Sequence, residues 1–473
     1  MTPLGSTHDL VTKDDYKIDA DVGDETVNDN ENRAQALPPV DGGKAAWFFL
    51  ASCYLLELMC FGPAFSWSVF QDYLQRSEHS PLRHESTVTI SAIGTLLFSM
   101  LYFAPAIARP FFWLHPDYAR LAMRVCLGVA IVALIGASFA TNAGTLVAVV
   151  GFIVGLACGI MTTPYLLWLP QWFVRRRGFA MGVAFSGAGL GGLLFPFIFS
   201  ASLENLGLAW TLRIWALCLL VGAGPALIGI RPRLPITARV ANKFKHRRAD
   251  YVKVMKKQFG YLLSTLWLFN ALLTLTASAG YFAISFYLGT YCSSLGLSSA
   301  ASTGAVSAFN AASLLGEITI GYLCDRFSYT KIMLGIGITG TLASLLLFGL
   351  AKNLAMVLLF TLIFGWAAGS FCATWPASAT DIARLRNMQS ADVMISYTIM
   401  RGIAAIVGPL VAAKLYRPDL KADAAVFGSF GFRSLTIFVG IMMSLVAGLA
   451  VLAEFSRRMS FKGVDVKLLG ERL

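Results

Sequence analysis

Apolar residues along the chain come in blocks of about 20, the length an α-helix needs to cross the hydrocarbon core of a bilayer, with short polar joints between them. Twelve blocks are readable, near residues 45–70, 87–108, 121–140, 143–169, 178–201, 208–230, 261–290, 301–324, 331–351, 354–376, 391–415 and 431–455. An even number of spans puts both ends of the chain on one side. The pattern predicts an all-α polytopic membrane protein.

Composition narrows the class. Of 473 residues, 56% are hydrophobic and 14% charged, against about 45–50% and about 25% in soluble domains. That excludes a soluble enzyme, a nucleic-acid binder and a disulfide scaffold. The eight cysteines fall inside or at the edge of apolar blocks without CxxC spacing, so they read as small packing residues and no metal site is expected. The net charge of +12 sits in the joints. Residues 1–44 are instead acidic, with ten Asp and Glu against four Lys and Arg, and read as a solvated, disordered tail rather than a signal peptide.

Basic residues gather in alternate joints: Arg109, Arg120 and Arg124; Arg175, Arg176 and Arg177; the joint from Arg231 to Lys257; Arg326 and Lys331; Arg384 and Arg386; Arg457 and Arg458. The opposite joints are nearly neutral. By the positive-inside rule the basic joints and both tails are cytoplasmic. The central joint holds ten Lys and Arg against Asp250 alone; it is either a solvated topogenic linker or a segment lying on anionic lipid. His79 and His84, in the first external joint, read as solvated. The chain thus divides into an N-tail (1–44), a six-helix bundle (45–230), a basic linker (231–260), a second six-helix bundle (261–455) and a C-tail (456–473).

Weak internal similarity relates the bundles. The eighth span ends in Gly321-Tyr322-Leu323-Cys324-Asp325-Arg326-Phe327, and the second ends at the equivalent place in Ala104-Pro105-Ala106-Ile107-Ala108-Arg109-Pro110. The fifth and eleventh spans both carry Gly and Pro: Gly182, Gly187, Gly191 and Pro196, then Gly402, Gly408 and Pro409. Two pseudo-symmetric halves with a site between them is a transporter architecture.

Three motifs carry a family resemblance. Asp41-Gly42-Gly43 stands before the first span, which closes with Phe61-Gly62-Pro63 and Ser68-Val69-Phe70-Gln71-Asp72-Tyr73. The run from Trp172-Phe173 through Arg175-Arg176-Arg177-Gly178 to Gly182, Ser186 and Gly187 opens the fifth span. Asp325-Arg326 occupies a joint motif. Over residues 41–455 the chain resembles the major facilitator superfamily, in its monocarboxylate-porter branch of fungal type. The resemblance implies the fold of that superfamily, transport by alternating access, and a gating role for Arg175, Arg176, Arg177, Asp325 and Arg326. Arg175–Arg177 and Asp325-Arg326 are expected to pair across the cytoplasmic ends of the bundles and latch them when the inner gate is shut; a purely topogenic role is the alternative for the arginines. Three departures stand out. The branch's lysine in the first span falls at about Ala64, the aspartate after the second span is Ala108, and the substrate-holding arginine of the eighth span gives way to Gly316-Glu317.

Ionisable side chains inside a bilayer cost at least a few kcal/mol and mark function by default. Glu57, Glu317 and Arg401 stand inside the first, eighth and eleventh blocks. Glu317 and Arg401 lie about 10 and about 15 Å from the same end of their helices. They are expected to pair, with protonation of Glu317 freeing Arg401 for an anionic group; a static pair fixing two helices is the alternative. Glu57 reads as a proton carrier or a simple hydrogen-bond acceptor. Tyr165, Trp168, Asn270, Tyr281, Phe282, Asn310, Phe371 and Trp375 are the expected lining, aromatic and lightly polar, suited to an amphipathic organic molecule.

No GxxxxGK[ST] occurs, so no nucleotide motor is built in, and no catalytic cluster, metal site or cofactor is expected. The reading favours a monomeric secondary active transporter of the cell membrane. It exports a small organic metabolite, of which an amphipathic acid is one form, with protons as the coupling ion. The alternatives are proton-coupled monocarboxylate uptake and a transport-dead membrane sensor.

Overall fold

The computed structural model describes residues 37–77, 80, 85–234, 260–386, 388–417 and 427–470. Most of the expected acidic tail, His79, His84, and the basic joint from 235 to 259 lie outside the described residues. From Val40 onward the chain forms one compact unit, helical and without strands among the described residues.

The helices are α1 (Gly43–Gln75), α2 (Thr87–Leu114), α3 (Ala119–Ala137), α4 (Ala143–Trp172), α5 (177–206), α6 (208–229), α7 (Thr265–Ser294), α8 (Ser299–Cys324), α9 (Tyr329–Phe348), α10 (Leu354–Arg386), α11 (Ser390–Leu415) and α12 (Arg433–Gly470). Ten stretches among the described residues are long and apolar enough to cross a membrane. One of them, Arg177–Gly229, contains both α5 and α6. They turn at Gly207, whose φ of 76° and ψ of 179° belong to a region open essentially to glycine alone. α8 has the length of a span but not the apolarity, because Asn310, Glu317 and several serines interrupt it. With these two resolved, the helices match the twelve apolar blocks. α12 continues as helix through Gly470, well into the stretch read as a C-tail.

Packing repeats between the halves. α1 packs on α5 as α7 does on α11, and α2 on α4 as α8 does on α10. The halves meet along two seams, α5 against α8 and α2 against α11. Small residues set how close the first seam is. A Cβ at Gly182 would sit 2.2 Å from the Glu317 carbonyl oxygen, so the backbones touch where a side chain would hold them apart. Outward faces keep Phe139, Val221, Ile228, Val451 and Phe455 exposed, as lipid-facing positions do.

Candidate functional site

The sequence gathers its basic joints at one end of the bundle, and both seams carry polar contacts there. At the α5–α8 seam the Asp325 carboxylate accepts hydrogen bonds from the backbone N–H groups of Gly178 (2.7 Å) and Phe179 (2.8 Å). These are unpaired donors of the first turn of α5, where the helix dipole also favours a negative charge. The expectation that Asp325 pairs with Arg175–Arg177 is therefore corrected: no such ion pair occurs among the described residues, because helix-start N–H groups occupy the carboxylate. Arg175 and Arg176 instead present their backbone N–H groups, with that of Val174, to the Asp41 carboxylate at 2.9–3.1 Å. Asp41, at φ 59°, returns its own N–H to the Trp172 carbonyl at 2.9 Å. The acid of the Asp-Gly-Gly motif thus ties the start of α1 to the α4–α5 joint. Arg177 bonds the Phe173 carbonyl and reaches Thr380 on α10 at 3.4 Å. Arg326, just past the end of α8, stacks on Tyr322 in that helix's last turn, 4.2 Å from the ring centre.

At the α2–α11 seam, Arg109 pairs with Asp392 at 2.6 Å, the side chains only 13% and 9% exposed. The equivalent of Asp325 is Ala108, so the acid has moved to the first turn of α11 and the base stays on α2. Breaking one partner of a nearly buried pair costs about 3 kcal/mol. Arg109→Asp and Asp392→Arg, each alone, are expected to lower the thermal midpoint of the purified protein. The double exchange should recover at least half of the loss, and equal loss in all three variants would show that the charges do not act as a pair.

Between the seams lies a central cavity of about 50 Å³, with room for a few waters. Glu57 of α1, Tyr165 of α4, Tyr281 of α7, Asn310 and Glu317 of α8, Trp375 of α10 and Arg401 of α11 line it. Of the expected lining, Trp168, Asn270, Phe282 and Phe371 are corrected. Trp168 is buried but does not line the cavity, and Asn270 turns away to bond the Leu266 carbonyl and the Tyr329 hydroxyl of α9. Phe371 lies behind the wall, its ring centre 4.9 Å from the Arg401 guanidinium carbon.

Arg401 is 4% exposed and sits in an aromatic cage. Tyr102, Tyr281 and Phe282 place their ring centres at 5.1, 5.5 and 5.4 Å, within cation–π range. Its one hydrogen bond runs to Cys372 Sγ, and its Nε has no partner. The expected pair with Glu317 is not formed: no ion pair joins them within 4.0 Å, although both line the same cavity, and Glu317 Oε2 is also unpartnered. Both line the cavity, but α8 packs on α5 and α10 while α11 packs on α7 and α2, so the two helices are not packing partners. Arg401 thus needs no proton on Glu317 to release it. Glu57 has a partner that the sequence did not show, the Tyr165 hydroxyl, which donates to Oε1. Asn310 bridges the α5–α8 seam through a bond to the Gly192 carbonyl at 3.2 Å.

Toward the end opposite the basic joints, Phe65, Phe98, Tyr281, Phe282 and Phe286 make edge and tilted ring contacts across α1, α2 and α7. Beyond them a separate polar vestibule of about 590 Å³ is lined by Gln71, Gln75, Glu204, Thr290, Ser302 and their neighbours. At the basic end the two seams are tied by the Asp325 and Arg109–Asp392 contacts, with a pocket of about 340 Å³ beside the second of them, lined by Trp113, Tyr261 and Trp267 among others, and the vestibule opens at the far end between α1, α5, α7 and α8.

Comparison with known proteins agrees with this architecture. The chain is 24% identical to the aspyridones efflux protein apdF of Emericella nidulans, over 93% of this chain and 83% of the relative. It is 23% identical to the probable transporter MCH2 of Saccharomyces cerevisiae, over 94% and 92%, and 24% identical to the agnestins efflux protein AgnL12 of Paecilomyces divaricatus, over 91% and 92%. The family profile described as the Major Facilitator Superfamily matches residues 47–409 and again 293–463, so helices, seams and cavity alike are those of a chain that belongs to the major facilitator superfamily.

Proposed function

We propose that this chain exports a small amphipathic organic acid by alternating access, in exchange for protons. The observation that carries the reading is Arg401, a buried guanidinium with an unpartnered Nε at the seam of two bundles. A buried charge without a counter-ion is costly, and an anionic cargo group supplies one. The aromatic walls hold the cargo's apolar body. Glu317, and secondarily Glu57, carry protons. The basic end is cytoplasmic by the positive-inside rule, both tails are there, and the chain works as a monomer in the cell membrane. Asp325 on the α5 start and Arg109 on Asp392 are then the latches of the inner gate, with Arg175, Arg176, Arg177 and Arg326 around them. Efflux is preferred over uptake because apdF and AgnL12 are named as efflux proteins and because the eighth span lacks the arginine of carboxylate porters.

The test compares medium and cell extract from matched cells with and without the chain, by untargeted metabolite profiling. A metabolite retained inside when the chain is missing establishes export and names the cargo. A short carboxylate left unconsumed in the medium establishes uptake instead. No flux of any candidate through vesicles holding the purified chain would point to a sensor.

A further inference from the structure

The pocket beside Arg109 and Asp392 differs in kind from the central cavity. α2 supplies Ala106 and Trp113, Tyr261 and Trp267 come from the entry to α7, and α11 supplies Ile399 and Met400. From Asp392 to Met400 the wall follows α11 for about 12 Å along its axis, so the pocket is a slot. Leu262 both lines it and is 38% exposed. Ile107 and Phe111 on α2 and Ile403 on α11 are exposed apolar neighbours, which makes the slot continuous with the lipid-facing surface. The polar groups of the wall are spent on one another. The Tyr261 hydroxyl donates to the Asp392 carbonyl at 3.3 Å, Trp267 Nε1 donates to Ser396 Oγ at 2.8 Å, and Arg109 pairs with Asp392. No buried polar atom of this wall lacks a partner among the described residues, whereas Glu317 and Arg401 in the central cavity both have one that does. Water needs two to four polar partners and finds none here. A hydrocarbon chain needs none, and it restores the dispersion contacts that an empty slot denies its lining.

We propose that this slot holds one acyl chain of a cytoplasmic-leaflet phospholipid, and that the bound lipid favours the closed inner gate. The proposal rests on the reading of the basic end as the inner gate, not on any cargo. Trp and Tyr at that end stand where amphipathic rings gather at a membrane surface. Asp392 neutralises Arg109, so the chain and not the headgroup charge is what the slot selects. Its walls come from both bundles: α2 from the first, α7 and α11 from the second. The slot is therefore complete only while the α2–α11 seam is shut. A ligand that fits one arrangement better shifts the population toward it.

The test strips the purified full chain of lipid in detergent and titrates it with palmitoyl-oleoyl phosphatidylglycerol, the matching phosphatidylcholine, or oleate. Bound lipid is counted by mass spectrometry of the intact complex. Either phospholipid is expected to be retained, with affinities within about twofold because the Arg109 charge is already paired. Ala106→Trp puts an indole in the slot and should weaken both by at least about tenfold. Ile107→Trp, one residue on and 59% exposed, should leave both unchanged. Stripped Ala106→Trp should keep the thermal midpoint of the stripped unmodified chain, since the indole fills the hole; if it does not fold, Met400→Trp on the opposite wall replaces it. Asp325→Ala loosens the other seam without touching the slot. It should weaken phospholipid binding about two- to fivefold, the worth of a carboxylate at a helix start. Equal binding by the tryptophan-filled and unmodified chains overturns the site. Retention of phosphatidylglycerol alone, or of oleate with neither phospholipid, overturns the occupant. Unchanged binding in Asp325→Ala overturns the link to the gate.

Discussion

Arg401→Gln is expected to cut transport of the exported metabolite at least about 30-fold, because truncating one member of a buried charge-assisted contact costs 2–5 kcal/mol or more. The same change should leave the thermal midpoint unchanged or raise it. Removing a buried charge that has a thiol, four rings and an unpartnered Nε around it relieves a desolvation cost rather than breaking a strong bond. Lost transport with kept stability separates a cargo-holding arginine from one that clamps helices. Arg401→Lys keeps the charge but not the flat fork that lies among the rings, so it is expected to recover less than about a tenth of the lost activity. A stability loss of several degrees in Arg401→Gln, with transport reduced only in proportion, would mean that the residue serves structure.

How much of this site could be read before the fold was known differs residue by residue. Glu57, Glu317 and Arg401 stand out in sequence because a charge in a block of apolar residues has a known cost, and all three meet in one cavity. Their pairing was not readable. Depth along a helix follows from counting residues, whereas the facing of helices that are apolar all round does not, since no polar stripe marks the buried side. The same ambiguity displaced Asn270 and Trp168 from the expected lining and hid Tyr102, one aromatic among many in α2. The partner of Asp325 was hidden for another reason. Backbone N–H groups are the same in every residue, so a carboxylate that caps a helix on the other bundle leaves no partner of recognisable type in the sequence. Arg109 and Asp392 are 283 positions apart, and only the α2–α11 seam makes them neighbours. The twelve blocks themselves were legible because bilayer thickness imposes one length on every span. The polar α8 shows the limit of hydropathy alone, and repetition between the halves is what secures it.

Glu317→Gln is expected to separate cargo movement from the proton gradient. In vesicles with a pH difference, the unmodified chain should drive the cargo up its gradient; each pH unit is worth about 1.4 kcal/mol, or tenfold accumulation per exchanged proton. The glutamine variant cannot exchange a proton at that position, so it should carry cargo until concentrations are equal and then stop, with a rate that no longer follows pH. Its amide still offers an acceptor to the cavity, so cargo-for-cargo exchange should persist, slower than in the unmodified chain. Glu57→Gln is the internal comparison. Its amide oxygen can still accept from Tyr165, and since Glu57 has that partner while Glu317 Oε2 has none, coupling is expected to survive there. The opposite result, accumulation kept in Glu317→Gln and lost in Glu57→Gln, would move the proton to α1. The Glu57–Tyr165 bond, rather than the open carboxylate facing Arg401, would then be the switch.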